Sequence, residues 1–204
     1  MTEGAELPEQ DDAGAGVAAF RTAWWQRLLA EHATYEVTRF AILRLLALVY
    51  FVAFLIVVEQ GDALIGSHGL LPVARVVAFG KERLGATAYF RSPSLFWISS
   101  SDAALHAVAW AGLVLSAAAL LGVTNAALQL GLWVLYMSFV HTGQIFWGYG
   151  WETQLLETGL LAAWLCPFRS VRPWPETAAP KIIIWLFRWL IFRIMVGAAL
   201  IKLR

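Results

Sequence analysis

The sequence predicts an all-α polytopic membrane protein, with about five transmembrane helices plus short amphipathic or interfacial helices between them. Three observations carry that expectation. The chain is 60% hydrophobic and only 14% charged, whereas ordinary soluble domains carry roughly 25% charged residues. Residues 103–151 contain no Asp, Glu, Lys or Arg, and a soluble core in so small a chain could not hide them all. The 11 Trp and 12 Phe suit helices anchored at membrane–water interfaces.

The same features set other classes aside. A formal net charge of +1 without a concentrated basic patch does not fit a nucleic-acid binder. Cys166 is the single cysteine, so no intrachain disulfide and no cysteine zinc site can form. His106 and His141 lie near the ends of predicted helices, without the clustered ligands a metal needs. No metal and no cofactor is therefore expected. The first twelve residues carry Glu3, Glu6, Glu9, Asp11 and Asp12, the opposite of the basic start of a cleavable signal. Insertion is expected to begin with the first internal apolar helix.

Taken in order, residues 1–18 read as a disordered acidic tail, and 19–204 as the helical bundle. Over 20–38, Phe20, Trp24, Trp25, Leu28 and Leu29 share one face, which suits an interfacial helix or one packed on the bundle. The first crossing is expected at 40–58, with Arg44 near its start snorkelling outward. Residues 59–102 form a long connection at the membrane surface, punctuated by Gly61, Gly66, Gly69 and Pro72. It should hold a short helix over 72–79 and a second amphipathic piece around Leu95, Phe96 and Trp97. Asp62, Ser67 and His68 are the residue types of a catalytic triad, but no nucleophile elbow frames them.

The second crossing, 103–121, is alanine-rich, which permits close helix approach. A tight turn leads to the third, 125–141. A loop over 143–151 precedes the fourth, 152–166, which is short and stops before Pro167. A proline-rich connection then leads to the fifth, 182–202. Five crossings put Arg21, Arg27 and Arg39 on the same side as Arg169, Arg172 and Lys181, which should be cytoplasmic. Arg75, Lys81, Arg83 and Arg91 in the first connection pull the other way.

Function is expected where polarity interrupts the apolar run. Glu152 and Glu157 stand in the fourth segment, and Arg188 and Arg193 in the fifth. Ionisable groups at membrane depth are costly and default candidates for function. Gln154 and Glu157, three apart, share a helix face, and a pair between Glu157 and Arg188 or Arg193 would relieve both penalties. Glu152, Gln154, Glu157, Arg188 and Arg193 thus form a candidate intramembrane network, either helix glue or a hydrated pocket. His141, Gln144, Trp147, Tyr149 and Trp151 form a candidate pocket or interface. The aromatics there read as an interfacial belt or as a ligand-stacking wall, with Gly143, Gly148 and Gly150 permitting tight backbone between them. Gly66, His68, Gly69 and Pro72 form a candidate loop motif.

Three stretches also carry a resemblance: ALIGSHGLLP at 63–72, GQIFWGYGWETQLLETGLLAAWLCP at 143–167 and LFRWLIFRIMVGAALIKLR at 186–204. Over about 35–204 the chain resembles the N-terminal transmembrane part of the lipase maturation factor family. It is more distantly similar to the transmembrane domain of the vitamin K-dependent gamma-carboxylases. The first resemblance implies a chaperone-like role in folding and assembly of secreted lipases or other exported clients. It implies the endoplasmic reticulum membrane in a eukaryote and the inner or plasma membrane in a bacterium. The family's large C-terminal domain, to which client handling is attributed, is expected to be absent here or to be a separately encoded partner. The implied partners are the lipid bilayer and a secreted lipase or other exported client, with no nucleic acid. The second resemblance implies a membrane enzyme acting on a lipid or an exported protein, but Lys81 and Lys202 lack the motif of its lysine base.

Overall fold

The structure, a computed structural model, describes residues 35–168, 171–172 and 179–203. The expected acidic tail and most of the segment 20–38 lie outside the described residues. The described chain is all-α, with seven α-helices: α1 Glu36–Ile65, α2 Val73–Leu84, α3 Thr87–Arg91, α4 Asp102–Leu121, α5 Ala126–Thr142, α6 Gly150–Leu165 and α7 Lys181–Lys202. Short 3₁₀ turns occupy Leu95–Trp97 and Gln144–Trp147. Helices α1, α4 and α7 are long and apolar enough to cross a membrane, and α5 is a shorter apolar helix.

Helix α1 runs seven residues past its expected end at 58. Its 30 residues rise about 45 Å, more than the roughly 30 Å hydrocarbon core, and the excess carries the polar Glu59, Gln60 and Asp62. Gly61 does not break it, because the helix packs closely there: a Cβ would meet Leu105 Cδ2 at 3.3 Å. The helix stops where Gly66 donates its N–H to the Asp62 carbonyl at 3.1 Å. A Cβ on Gly66 or Gly69 would stand 2.6 or 2.7 Å from that same carbonyl oxygen, so neither position admits a side chain. The chain then folds back, with Leu70 and Leu71 N–H groups donating to the Ala63 and Leu64 carbonyls at 3.1 and 2.8 Å.

The connection is more helical than expected. Helix α2 starts after Pro72 and continues to Leu84 rather than 79, with Lys81 and Arg83 in its last turn, where cations complement the helix dipole. Gly85, at φ +53°, ends it in the left-handed region that favours glycine. Ser101 caps α4 by accepting from the Ala104 N–H, and Asn125 caps α5 by accepting from the Ala127 N–H at 2.8 Å. The expected loop over 143–151 is a 3₁₀ turn followed by the first residues of α6.

Small residues let the helices close on one another. The Phe54 ring of α1 occupies the space a Cβ on Gly112 of α4 would need, 2.2 Å away, and the Tyr50 hydroxyl abuts Gly159 of α6. Around them lies the core: Leu46, Val57, Leu105, Leu132, Phe139 and Leu155, all buried.

The bundle has two ends. The base holds the start of α1, the turn between α4 and α5, and the chain leaving α6. Here the Arg44 expectation is corrected. Its guanidinium does not snorkel outward; it turns inward and donates to the Ala119 carbonyl, to the Gly122 carbonyl at 2.8 Å and to Thr124 Oγ1 at 2.7 Å. The last carbonyls of a helix lack intrahelical partners, and a half-buried cation finds at the C-terminus of α4 what it would otherwise seek in water. The Ala126 N–H donates to Pro167 O at 3.0 Å and Asn125 Nδ2 to Phe168 O at 3.1 Å, closing the base.

Candidate functional site: a clamped cap over an enclosed carboxylate

The opposite end, the cap, gathers the end of α1, the start of α4, the end of α5 and the start of α6. Glu152, in the first turn of α6, is 2% exposed. It accepts a hydrogen bond from the Tyr136 hydroxyl of α5. Tyr136 packs edge-on against Tyr50 and Phe54, at ring separations of 5.7 and 5.6 Å. The Tyr50 hydroxyl is buried and has no hydrogen-bond partner among the described residues. An aromatic wall continues outward, with Phe139 stacked on Trp147 at 6.0 Å. Trp147 fits because residue 143 is glycine: a Cβ there would lie 2.2 Å from the indole. Gln144 follows at φ +55°, the one non-glycine residue with positive φ among the described residues.

Above this wall, the end of α5 clamps two loops. Gln144 Nε2 donates to the Leu71 carbonyl at 3.1 Å, fastening the loop that carries Gly66, His68, Gly69 and Pro72. His141 Nδ1 lies 2.7 Å from the Pro93 carbonyl, which makes Nδ1 the protonated nitrogen. Ser94 Oγ donates to the Ser138 carbonyl at 3.1 Å, and the Leu95 N–H donates to Ser138 Oγ at 3.0 Å. Ser138 and His141 of α5 thus hold the Pro93–Leu95 segment, and Gln144 of the turn that follows α5 holds the other loop.

The start of α4 closes the rim. Asp102 accepts from the Ser67 N–H at 2.7 Å and from Ser67 Oγ at 2.5 Å, while Asp62 meets His106 Nε2 at 2.8 Å. The triad residue types therefore engage different partners: Ser67 binds Asp102, Asp62 binds His106, and His68 is exposed. Among the described residues, no three His, Cys, Asp or Glu gather as a metal site.

The network expected from sequence divides into separate contacts. A five-residue step turns an α-helix by about 140°, so Glu152 points into the bundle and Glu157 away from it. Arg193 of α7 donates to Glu157 across the helix pair. Arg188 instead donates to the Tyr35 hydroxyl at 3.1 Å and stacks over the Trp185 ring at 5.1 Å. Gln154 is half-buried. The aromatic set divides as well: Trp147 is buried at 6% exposure, whereas Tyr149 and Trp151 face outward.

Sequence reading missed Tyr136, Tyr50, Ser138 and Asp102. Only Ser138 carried a usable signal, its spacing from His141 and Thr142. Tyr136 and Tyr50 look like ordinary members of apolar runs until the tertiary contact is known.

In the cap the carboxylate is enclosed and partnered, and the loops are held by side chain–backbone hydrogen bonds.

Comparison with known proteins places this architecture. The sequence pattern of the lipase maturation factor transmembrane domain matches residues 37–204. Lipase maturation factor 1 of Bos taurus is 45% identical over 180 residues, covering 84% of this chain and 32% of that protein. The Mus musculus protein of the same name is 43% identical over 180 residues, covering 84% and 31%. Lipase maturation factor 2 of Xenopus tropicalis is 32% identical over 169 residues, covering 76% and 23%. The chain thus spans about a third or less of the length of the curated relatives it matches. No solved structure matches. Its sequence and its long apolar helices agree: the chain is an integral membrane protein and belongs to the lipase maturation factor family.

Proposed function

We propose that this bundle is the membrane-embedded scaffold of a protein that assists folding or assembly of secreted lipases or other exported clients. The observation that carries this reading is the cap, where two loops are fastened to the end of α5 over a carboxylate that is sealed in rather than offered to a substrate. Such a surface is suited to holding another protein or a further domain in place. His68 of the loop motif, and Leu70 within the same loop, are exposed upon it. In this reading Glu152, Gln154, Glu157, Arg188 and Arg193 act as helix glue. The family's C-terminal domain would seat on the cap.

The reading includes five crossings. Helices α5 and α6, with 17 and 16 residues, rise about 24–26 Å and would cross as a tight pair joined by the Gln144–Trp147 turn. Arg39, Arg172 and Lys181 stand toward the base, which would be cytoplasmic, leaving the cap on the lumenal or periplasmic side. The membrane is that of the endoplasmic reticulum in a eukaryotic host, or the inner membrane in a bacterium. Photocrosslinking from positions 68 and 70 in the native host, followed by co-purification, tests this. Capture of an exported protein supports it; labelling of cytosolic proteins alone sinks both the topology and the role.

A second reading, a membrane enzyme acting on a lipid or an exported protein, rests on the Tyr50 hydroxyl. A buried polar group without a partner asks for an explanation, and this one lies against Gly159, its ring edge-on to Tyr136. Loss of a chemical activity in Glu152→Gln at undiminished folded abundance would favour it over the scaffold.

A further inference from the structure

The connection between α1 and α4 builds a feature that neither the cap clamp nor the scaffold role uses. Between α2, α3 and the Leu95–Trp97 turn lies an open cavity of about 470 Å³, lined by Lys81, Gly85, Ala86, Tyr89, Phe90 and Trp97. That volume falls in the range of small-molecule sites, roughly 300–1,000 Å³. Its wall is apolar and aromatic, and Lys81 is the charged member of the set.

The slot is held open by its sequence. Trp97 Nε1 donates to the Ser92 carbonyl at 2.7 Å, fixing the indole. The ring lies over Gly80, where a Cβ would meet it at 2.6 Å, and Tyr89 inclines toward it at 6.0 Å. Gly85, at φ +53°, turns the chain from α2 into α3, and the space its Cβ would fill is empty to 4 Å. Ala86 is small. Bulk at either position would close the slot.

Its surroundings indicate the occupant. Val73 and Val77 bury one face of α2 against the bundle. On the outer side Phe79, Tyr89 and Phe90 are exposed, Phe90 at 88%, and Arg83 stacks over Phe79 at 4.9 Å. Arg75, Lys81, Arg83 and Arg91 outnumber Glu82 along this stretch. Exposed aromatics interleaved with basic residues, on short helices beside membrane-crossing ones, match the boundary between headgroups and acyl chains.

We propose that this slot is a phospholipid site, in which the aromatic wall takes an acyl chain and Lys81 meets the phosphate of an anionic headgroup. The source is the surrounding leaflet. The site is independent of the scaffold reading and stands or falls without it.

The test uses the full chain in mixed micelles with phosphatidylglycerol carrying a photoactivatable diazirine in its acyl chain, and peptide mapping of the adducts. Tyr89 and Phe90 should label more strongly than Trp189 and Phe192 of α7, which are exposed on that helix and serve as the internal reference. Unlabelled phosphatidylglycerol should compete about fivefold better than phosphatidylcholine, the preference expected of one basic residue at an anionic surface. Lys81→Gln should abolish that preference while sparing the adducts. Ala86→Trp should remove the adducts at Tyr89 and Phe90 and leave those on α7 unchanged, with an unaltered thermal melt showing that the variant has folded. Equal labelling of the slot and α7 overturns the proposal, as does slot labelling that survives Ala86→Trp. Equal competition by the two lipids overturns the anionic assignment.

Discussion

Glu152 and Glu157 sit on one helix, five residues apart, and meet opposite environments. Glu152 is sealed by protein, with the Tyr136 hydroxyl as its donor. Glu157 lies outside the bundle, paired with Arg193. In a soluble protein the outer pair would be the unimportant one, since water-exposed ion pairs are worth about 0–1 kcal/mol. In the five-crossing topology the order reverses. In that proposed topology the surroundings of the bundle at mid-helix would be hydrocarbon, so Glu157 would be the carboxylate without water and Arg193 its principal relief. Protein burial and removal from water are different quantities here, and only the second sets the cost of a charge.

Substitutions can break this comparison, beginning with its frame. Gly159→Leu drives a side chain into the space of the Tyr50 hydroxyl and should destabilise by about 3 kcal/mol, the upper end for overpacking. A fall in the melting temperature of detergent-solubilised protein reports it. Arg193→Leu strands Glu157 and should reduce folded abundance by the equivalent of about 2.5 kcal/mol, as on insertion scales. The double change Arg193→Leu/Glu157→Leu should recover most of it. Failure of the double variant to recover would place that pair in water.

Inside the bundle the effects should be smaller. Tyr136→Phe leaves the buried carboxylate without its donor and should cost about 2 kcal/mol, whereas Glu152→Gln, which keeps an acceptor, should cost about 1 kcal/mol or less. Thermal melts in detergent separate the two, and the reverse order would mean that Tyr136 is not the principal partner. The smallest change belongs to the rim. Asp62→Asn weakens an exposed contact to His106 and should shift stability by about 0.5 kcal/mol or less. A larger shift in the same melts would show that the cap closes through Asp62.

The helical architecture was legible because hydrophobic runs and their breakers, Gly122, Pro167 and Pro180, are local signals. The site was less so. Glu157 and Arg193 could be proposed as partners because each is anomalous in its own run. Tyr136 could not be assigned to Glu152, since a tyrosine in an apolar helix is unremarkable until another helix brings a carboxylate to it. Trp147 misled for the converse reason: its neighbours Tyr149 and Trp151 face outward, and sequence proximity suggested that it did too. The inward turn of Arg44 depends on carbonyls freed at the end of a helix far along the chain, which no window around residue 44 contains.

That last contact has a consequence for biosynthesis. The acceptors of Arg44 at Ala119, Gly122 and Thr124 lie 75 to 80 residues downstream. At about 5–20 residues per second, roughly 4–16 s pass between synthesis of the cation and synthesis of its acceptors. Throughout that interval the guanidinium has the local Phe40 ring but not its carbonyl acceptors, and the commitment of α1 to the lipid phase should remain reversible until the α4–α5 turn emerges. Nascent chains arrested at residue 113 should therefore extract from membranes more readily than chains arrested beyond 160, and Arg44→Leu should erase the difference.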